Sequence, residues 1–106
     1  MTMKPKPRHR VPHFLNALDN VDLGSLPLGW HADGAGLWLR VRQTRVVSRR
    51  WTFIYQLDHV RHEVGLGGWP EVSLRAARRM VANFRNMLFE GRDPWEHRDL
   101  TRARRR

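Results

Sequence analysis

Polar and apolar positions alternate in three runs along this chain and then change period. From Leu37 to Arg42, Leu37, Leu39 and Val41 fall on one side and Trp38, Arg40 and Arg42 on the other, the period of two that a half-buried strand requires. Trp51 to Leu57 repeats it, with Trp51, Phe53, Tyr55 and Leu57 opposed to Thr52, Ile54 and Gln56. Val60 to Leu66 gives a third strand, with Val60, His62, Val64 and Leu66 on one face and Arg61 and Glu63 on the other. Asp58-His59 has the length of a two-residue hairpin turn. Asp33-Gly34-Ala35-Gly36 reads as a turn whose glycines admit positive φ, and Trp30-His31-Ala32 as a short edge strand before it. Gln43 to Arg50 reads as a loop carrying Arg45, Arg49 and Arg50. After Gly67, Gly68 and Pro70 the spacing becomes helical: Leu74, Ala77, Val81, Phe84 and Leu88 recur by three and four, flanked by Met80 and Met87. Ser73 is placed as N-cap and Gly91 as C′, which predicts a helix from about Leu74 to Glu90. The expected fold is α+β: a three-stranded antiparallel sheet, four-stranded with the edge strand, packed on one face by a C-terminal α-helix.

The flanks carry weaker patterns. Phe14, Leu15 and Leu18 have helical spacing behind Pro12, whereas Leu23, Leu26 and Leu28 lie among Gly and Pro, so one short helix and an irregular return are expected over 11–29. Residues 1–10 alternate Lys, Pro, Arg and His, the composition of an extended, disordered basic arm. Asp93-Pro94 can cap a further short helix, and 97–106 reads as a basic tail or the start of an interdomain linker. The organisation is one domain over 11–96, with its core at 29–91.

Charge sharpens this picture. The chain has 106 residues with 20 Lys+Arg against 10 Asp+Glu, a net charge of +10, and all but Lys4 and Lys6 of the cations are Arg. Residues 1–10 and 101–106 carry four cations each and no acid, so the stretch 11–100 nets only +2. Within it 34–70, the predicted sheet, nets +4. So basic a chain points to a polyanionic partner, and Arg rather than Lys favours forked bonding to phosphate or guanine. A basic surface kept for solubility is the plainer alternative.

With the helix on one face, the other sheet face meets water or a partner. It carries Trp38, Arg40, Arg42, Thr52, Gln56, Arg61 and Glu63, with Arg45, Arg49 and Arg50 at the rim. Two or three twisted strands match the width of a DNA major groove. Arg can pair with guanine, Gln with adenine, and Thr can touch a thymine methyl, while rim arginines suit phosphates. The candidate DNA-binding residues are therefore Trp38, Arg40, Arg42, Arg45, Arg49, Arg50, Thr52, Gln56 and Arg61; a merely solvated face is the competing reading. Arg75, Arg78, Arg79 and Arg85 are expected on the outer side of the helix, the first two near its positive dipole end, where a cation costs about 0.3–1 kcal/mol. Docking of a protein partner through these arginines, or RNA or single-strand binding through Trp38, are the alternatives.

Little supports catalysis. There is no cysteine, His59 and His62 do not converge as a metal pair would, and Gly34-Ala35-Gly36 lacks the lysine and following helix of a phosphate-binding loop. Tyr55 belongs to the core alternation. The expectation is a non-enzyme with no cofactor, no metal, no small-molecule substrate and no membrane-spanning or signal segment, located in the cytoplasm with the nucleoid.

Four stretches carry a family resemblance. Asp33-Gly34-Ala35-Gly36-Leu37-Trp38-Leu39 resembles the Asp-Gly-x-Gly-Leu-aromatic-Leu opening of the arm-type DNA-binding domain of phage and genomic-island tyrosine recombinases (integrases). Trp51-Thr52-Phe53-Ile54-Tyr55 is similar to its Trp-x-Phe-x-Tyr strand. Leu66-Gly67-Gly68-Trp69-Pro70-Glu71-Val72-Ser73-Leu74-Arg75-Ala76-Ala77-Arg78 resembles its Leu-Gly-x-aromatic-Pro-x-x-Ser-Leu-x-x-Ala-Arg signature, and Gly91-Arg92-Asp93-Pro94 its Gly-x-Asp-Pro exit. The resemblance spans about Gly29 to Glu96. It implies a sheet set in the major groove of arm-type sites in duplex DNA, a recombinase context without the catalytic domain, and recombinase subunits as further partners. Thr52, Ile54 and Gln56 stand where the family often has Arg, which shifts the expected contacts toward Arg40, Arg42 and the 45–50 segment.

Overall fold

The computed structural model describes residues 15–95; the expected basic arm, Phe14 and the C-terminal tail lie outside them. Four strands, β1 (Gly29–Gly34), β2 (Leu37–Gln43), β3 (Val47–Leu57) and β4 (Val60–Gly68), precede one helix, α1 (Leu74–Phe89). The sheet is an antiparallel meander in the order β1-β2-β3-β4. The expected α+β architecture is thus present, with the edge strand making the fourth.

Two-residue turns join β1 to β2 and β3 to β4. Ala35 and Gly36 take φ of 57° and 91°, Asp58 and His59 54° and 65°, the left-handed pairing whose twist matches an antiparallel hairpin. Gly36 is required on a second count: a Cβ there would lie 2.7 Å from the Ile54 carbonyl oxygen and from the Phe53 ring. The Gln43–Arg50 segment differs from its expected loop. Only Thr44–Val46 separate the strands, and Arg49 and Arg50 pair with Val41 and Arg40. β4 also continues past Leu66: a bulge sets Thr52 opposite Gly65 and Trp51 opposite Gly67, so the glycines prolong the strand.

The core fills the gap between sheet and helix. Leu37, Leu39, Trp51, Phe53 and Val64 are fully buried beneath Ala77 and Val81 of α1. Phe53 stacks on Tyr55 at 5.2 Å and on Phe84 at 5.9 Å. The one polar atom of Trp51, Nε1, donates to the Val72 carbonyl at 2.7 Å, so this large ring is buried without an orphaned donor. α1 begins where Ser73 accepts from the Ala76 N–H at 3.0 Å. It ends in a Schellman pair, Gly91 N to Leu88 O at 3.0 Å and Arg92 N to Met87 O at 2.8 Å, with Gly91 at φ 84°.

The 15–29 segment holds no α-helix. Asn16 and Asn20 have positive φ, and only Leu23–Ser25 make a 3-10 turn, capped by Asp22, which accepts from the Gly24 N–H. Of the described members of the expected apolar set, Leu18 and Leu23 are buried, while Leu15 is 57% exposed.

Past α1 the chain is latched to the sheet. The Tyr55 hydroxyl donates to Asp93 at 2.5 Å, and the same carboxylate caps the next turn by accepting from Trp95 N–H at 3.0 Å. Burial pushes the Asp93 carboxyl up, but Tyr55, the Trp95 N–H and nearby His62 outweigh it and hold it below the usual carboxylate range. A lowered folded-state value means stabilisation that is present above the unfolded pKa of about 3.9 and is lost as pH falls through the folded one. Tyr55→Phe is therefore expected to cost about 1 kcal/mol at neutral pH, and urea melts of the two proteins should converge in strong acid.

Candidate nucleic-acid interface

Register fixes which side chains share the outer face of the sheet. Reading across β2 and β3, Arg42 stands opposite Ser48, Arg40 opposite Arg50 and Trp38 opposite Thr52. Across β3 and β4, Ile54 stands opposite Glu63 and Gln56 opposite Arg61. β1 extends two of these rows, with Trp30 opposite Arg40 and Ala32 opposite Trp38. The structure therefore brings Trp38, Arg40, Arg42, Arg50, Thr52, Gln56 and Arg61 onto one face, and places Arg45 in the exposed turn at its end.

Arg49 is set apart from this group. It projects on the core side, where Nε donates to the Leu23 carbonyl at 3.0 Å and Nη2 to the Gly24 carbonyl at 2.6 Å. Its guanidinium ties the 3-10 turn to the sheet. The helix arginines also divide. Arg75 and Arg79 are exposed, but Arg78 and Arg85 turn back to the β1–β2 hairpin, contrary to the outer-side expectation for all four. Arg85 donates to the Ala35 carbonyl at 3.3 Å. Arg78 grips Asp33 with two bonds of 2.9 Å and reaches Asp19 at 2.8 Å. The Asp33 hydrogen bonds, joined by Asp19 and opposed by burial, push the Arg78 pKa up, so the guanidinium keeps its charge. The unfavourable dipole position of Arg78 is offset by a buried carboxylate.

Sorting the cations by partner leaves a compact group. Among the described residues the ion pairs are Arg61–Glu63, Arg78–Asp19, Arg78–Asp33 and Arg92–Glu90. Arg40, Arg42, Arg45 and Arg50 have no carboxylate partner there. Residues 40–50 contain five arginines and no acid, so four described cations without a carboxylate partner gather at this end of the sheet. The Arg61–Glu63 pair, 3.0 Å long with side chains 59% and 47% exposed, is of the weak surface kind and releases its arginine cheaply.

Sequence reasoning missed Trp30. It stands on the same face, its ring under the Arg40 guanidinium at 4.8 Å and edge-on to Trp38 at 6.2 Å. The parity of Trp30 and Ala32 could have shown this once β1 was paired with β2, but an irregularity between Ala32 and Gly34 hides that register.

Residues 15–101 match the arm DNA-binding domain family. The chain belongs to that family. Among curated proteins none matches it. The structure explains why the family-like motifs go together in this arm domain: Asp33 of the first turn bonds Arg78 of the helix motif, and Tyr55 of the central strand bonds Asp93 of the exit motif. These four residues build the domain. Among the described residues no group of His, Asp and Glu could hold a metal ion, and His62 lies stacked on Tyr55 at 5.1 Å. No described helix is long and apolar enough to cross a membrane.

Proposed function

We propose that this arm domain binds duplex DNA sequence-specifically, with the outer face of β2, β3 and β4 set into the major groove, as the arm-site-binding module of a site-specific recombinase. The observation that supports it best is Arg40 directly opposite Arg50, beside Arg42 and Arg45, with no carboxylate partner among the described residues. Like charges facing each other across a strand pair destabilise a sheet, and a polyanion relieves that repulsion. Outward positions from Arg50 to Gln56 on β3 span about 20 Å, the length of roughly six base pairs. Arg40 and Arg42 take guanine edges, Gln56 an adenine and Thr52 a thymine methyl. Arg45 and Arg50 take phosphates, as does Arg61 once its surface pair opens.

Salt titration of a duplex complex tests the reading. Three arginines on phosphates give a slope of about −3 in log K against log[salt]. An affinity indifferent to salt would overturn it. The second reading, a protein-docking module, is favoured by Arg75 and Arg79, which are exposed one turn apart and have no carboxylate partner among the described residues; it predicts that NMR shifts on titrating a recombinase fall on α1 rather than on the sheet.

A further inference from the structure

The outer face is polar except for one diagonal. Trp30 on β1, Trp38 on β2 and Ile54 on β3 occupy positions offset by two residues from strand to strand, so their side chains form a continuous apolar strip across the sheet. The strip floors a groove of about 690 Å³ lined also by Tyr55, Gln56 and Arg61. Trp30 is 37% exposed. Arg40 and Arg50 border the strip on one side, Gln56 and Arg61 on the other.

An occupant must therefore be anionic at the Arg40–Arg50 margin, since on the other Arg61 is paired with Glu63 opposite Ile54, and must present small apolar groups between hydrogen-bonding edges. The major groove of DNA has one such group, the C5-methyl of thymine. Base stacking fits less well. The two indoles meet edge to face at 86°, and one face of Trp30 is already covered by the Arg40 guanidinium at 4.8 Å, so no open parallel slot is presented to a base. The same contact holds Arg40 upright beside the strip, which couples a guanine-reading arginine to an apolar neighbour.

Building on the major-groove reading, we infer that the Trp30–Trp38–Ile54 strip reads pyrimidine 5-methyl groups, so that this domain selects thymine next to the guanine taken by Arg40. Trp30 is then a positioning residue for Arg40 as well as a contact.

The test uses the full chain and a duplex recovered by unbiased selection from random sequence, with each thymine replaced singly by deoxyuridine. That change deletes one methyl and leaves every hydrogen-bonding group in place. At one or two thymines the Kd is expected to rise about three- to five-fold, the worth of one buried methyl, while Trp38→Ala binds the dT and dU duplexes equally. Replacing a neighbouring cytosine by 5-methylcytosine where the strip can reach it should tighten binding. Salt-dependent duplex binding with no dU effect at any position would overturn this inference and leave the major-groove reading standing. Failure to bind any duplex would overturn both. Tighter binding of the single strand than of the duplex would make the indoles a stacking surface and overturn the inference as well. The dU arm needs no protein variant, so a Trp38→Ala protein that failed to fold would not blunt it.

Discussion

Arg40→Ala is expected to weaken binding to the selected duplex by about 1–3 kcal/mol, roughly 5- to 150-fold, and to relax preference at one base-pair position. The expectation follows from where Arg40 stands: mid-strand on β2, partly buried, braced by Trp30 and opposed by Arg50. A braced guanidinium loses little freedom on binding, and a forked contact to guanine discriminates more than a phosphate contact does. Arg50→Ala should lower affinity for all duplexes alike and flatten the salt slope by about one. Arg49 supplies the contrast. It is one residue away and of the same charge, but its hydrogen bonds go to Leu23 and Gly24, so Arg49→Ala should lower the melting midpoint and leave the affinity of the folded protein nearly intact. Filter binding or anisotropy at two salt concentrations separates the three. If Arg75→Ala on α1 costs more affinity than Arg40→Ala, the sheet is not the interface.

The contrast between Arg49 and Arg50 also shows what a sequence can and cannot say here. Alternation placed Trp38, Arg40, Thr52 and Gln56 outward because each strand buries one face and a period of two leaves no other choice. It could not see that the parity continues through Arg49 and Arg50, because arginine carries no strand signal and the pairing with β2 that extends β3 is non-local. The helix arginines failed for a related reason. Arg75 and Arg78 look alike at the start of an amphipathic helix, and only the arrival of Asp33 from 45 residues upstream turns one of them inward. In the 15–29 segment the helical spacing of Leu15 and Leu18 misled because Asn16 and Asn20 sit at positive φ, where a helix cannot continue. Local patterns thus gave the strands, the caps and the helix stripe, while charge partners made across the fold decided which arginines remain available.

Asp33→Ala is expected to be the most damaging change to a polar side chain of the described residues, by about 2–4 kcal/mol. Its side chain is 3% exposed and its carboxylate accepts three hydrogen bonds, from Leu18 N–H at 2.9 Å and from Nε and Nη2 of Arg78 at 2.9 Å each. Alanine leaves the Leu18 amide without its acceptor and strips Arg78 of its main counter-charge. Asp19 at 2.8 Å and partial exposure of the Arg78 side chain, 29%, keep the loss below that of a sealed ion pair. For a domain of this size each kcal/mol shifts the midpoint by about 4–8 °C, so a drop of at least about 8 °C should be seen by circular dichroism. Asp33→Asn, which preserves an acceptor for Leu18 but not the charge, should fall between. The damage reaches the interface through β1: Asp33 joins the 15–29 segment and α1 to the hairpin whose other arm holds Trp38 and Arg40. Once that edge strand loosens, Trp30 no longer braces Arg40, and DNA affinity should fall at temperatures well below the new midpoint. A midpoint within about 2 °C of the parent would mean that Asp19 and water satisfy Arg78, and that Asp33 is not the residue on which the hairpin is hung.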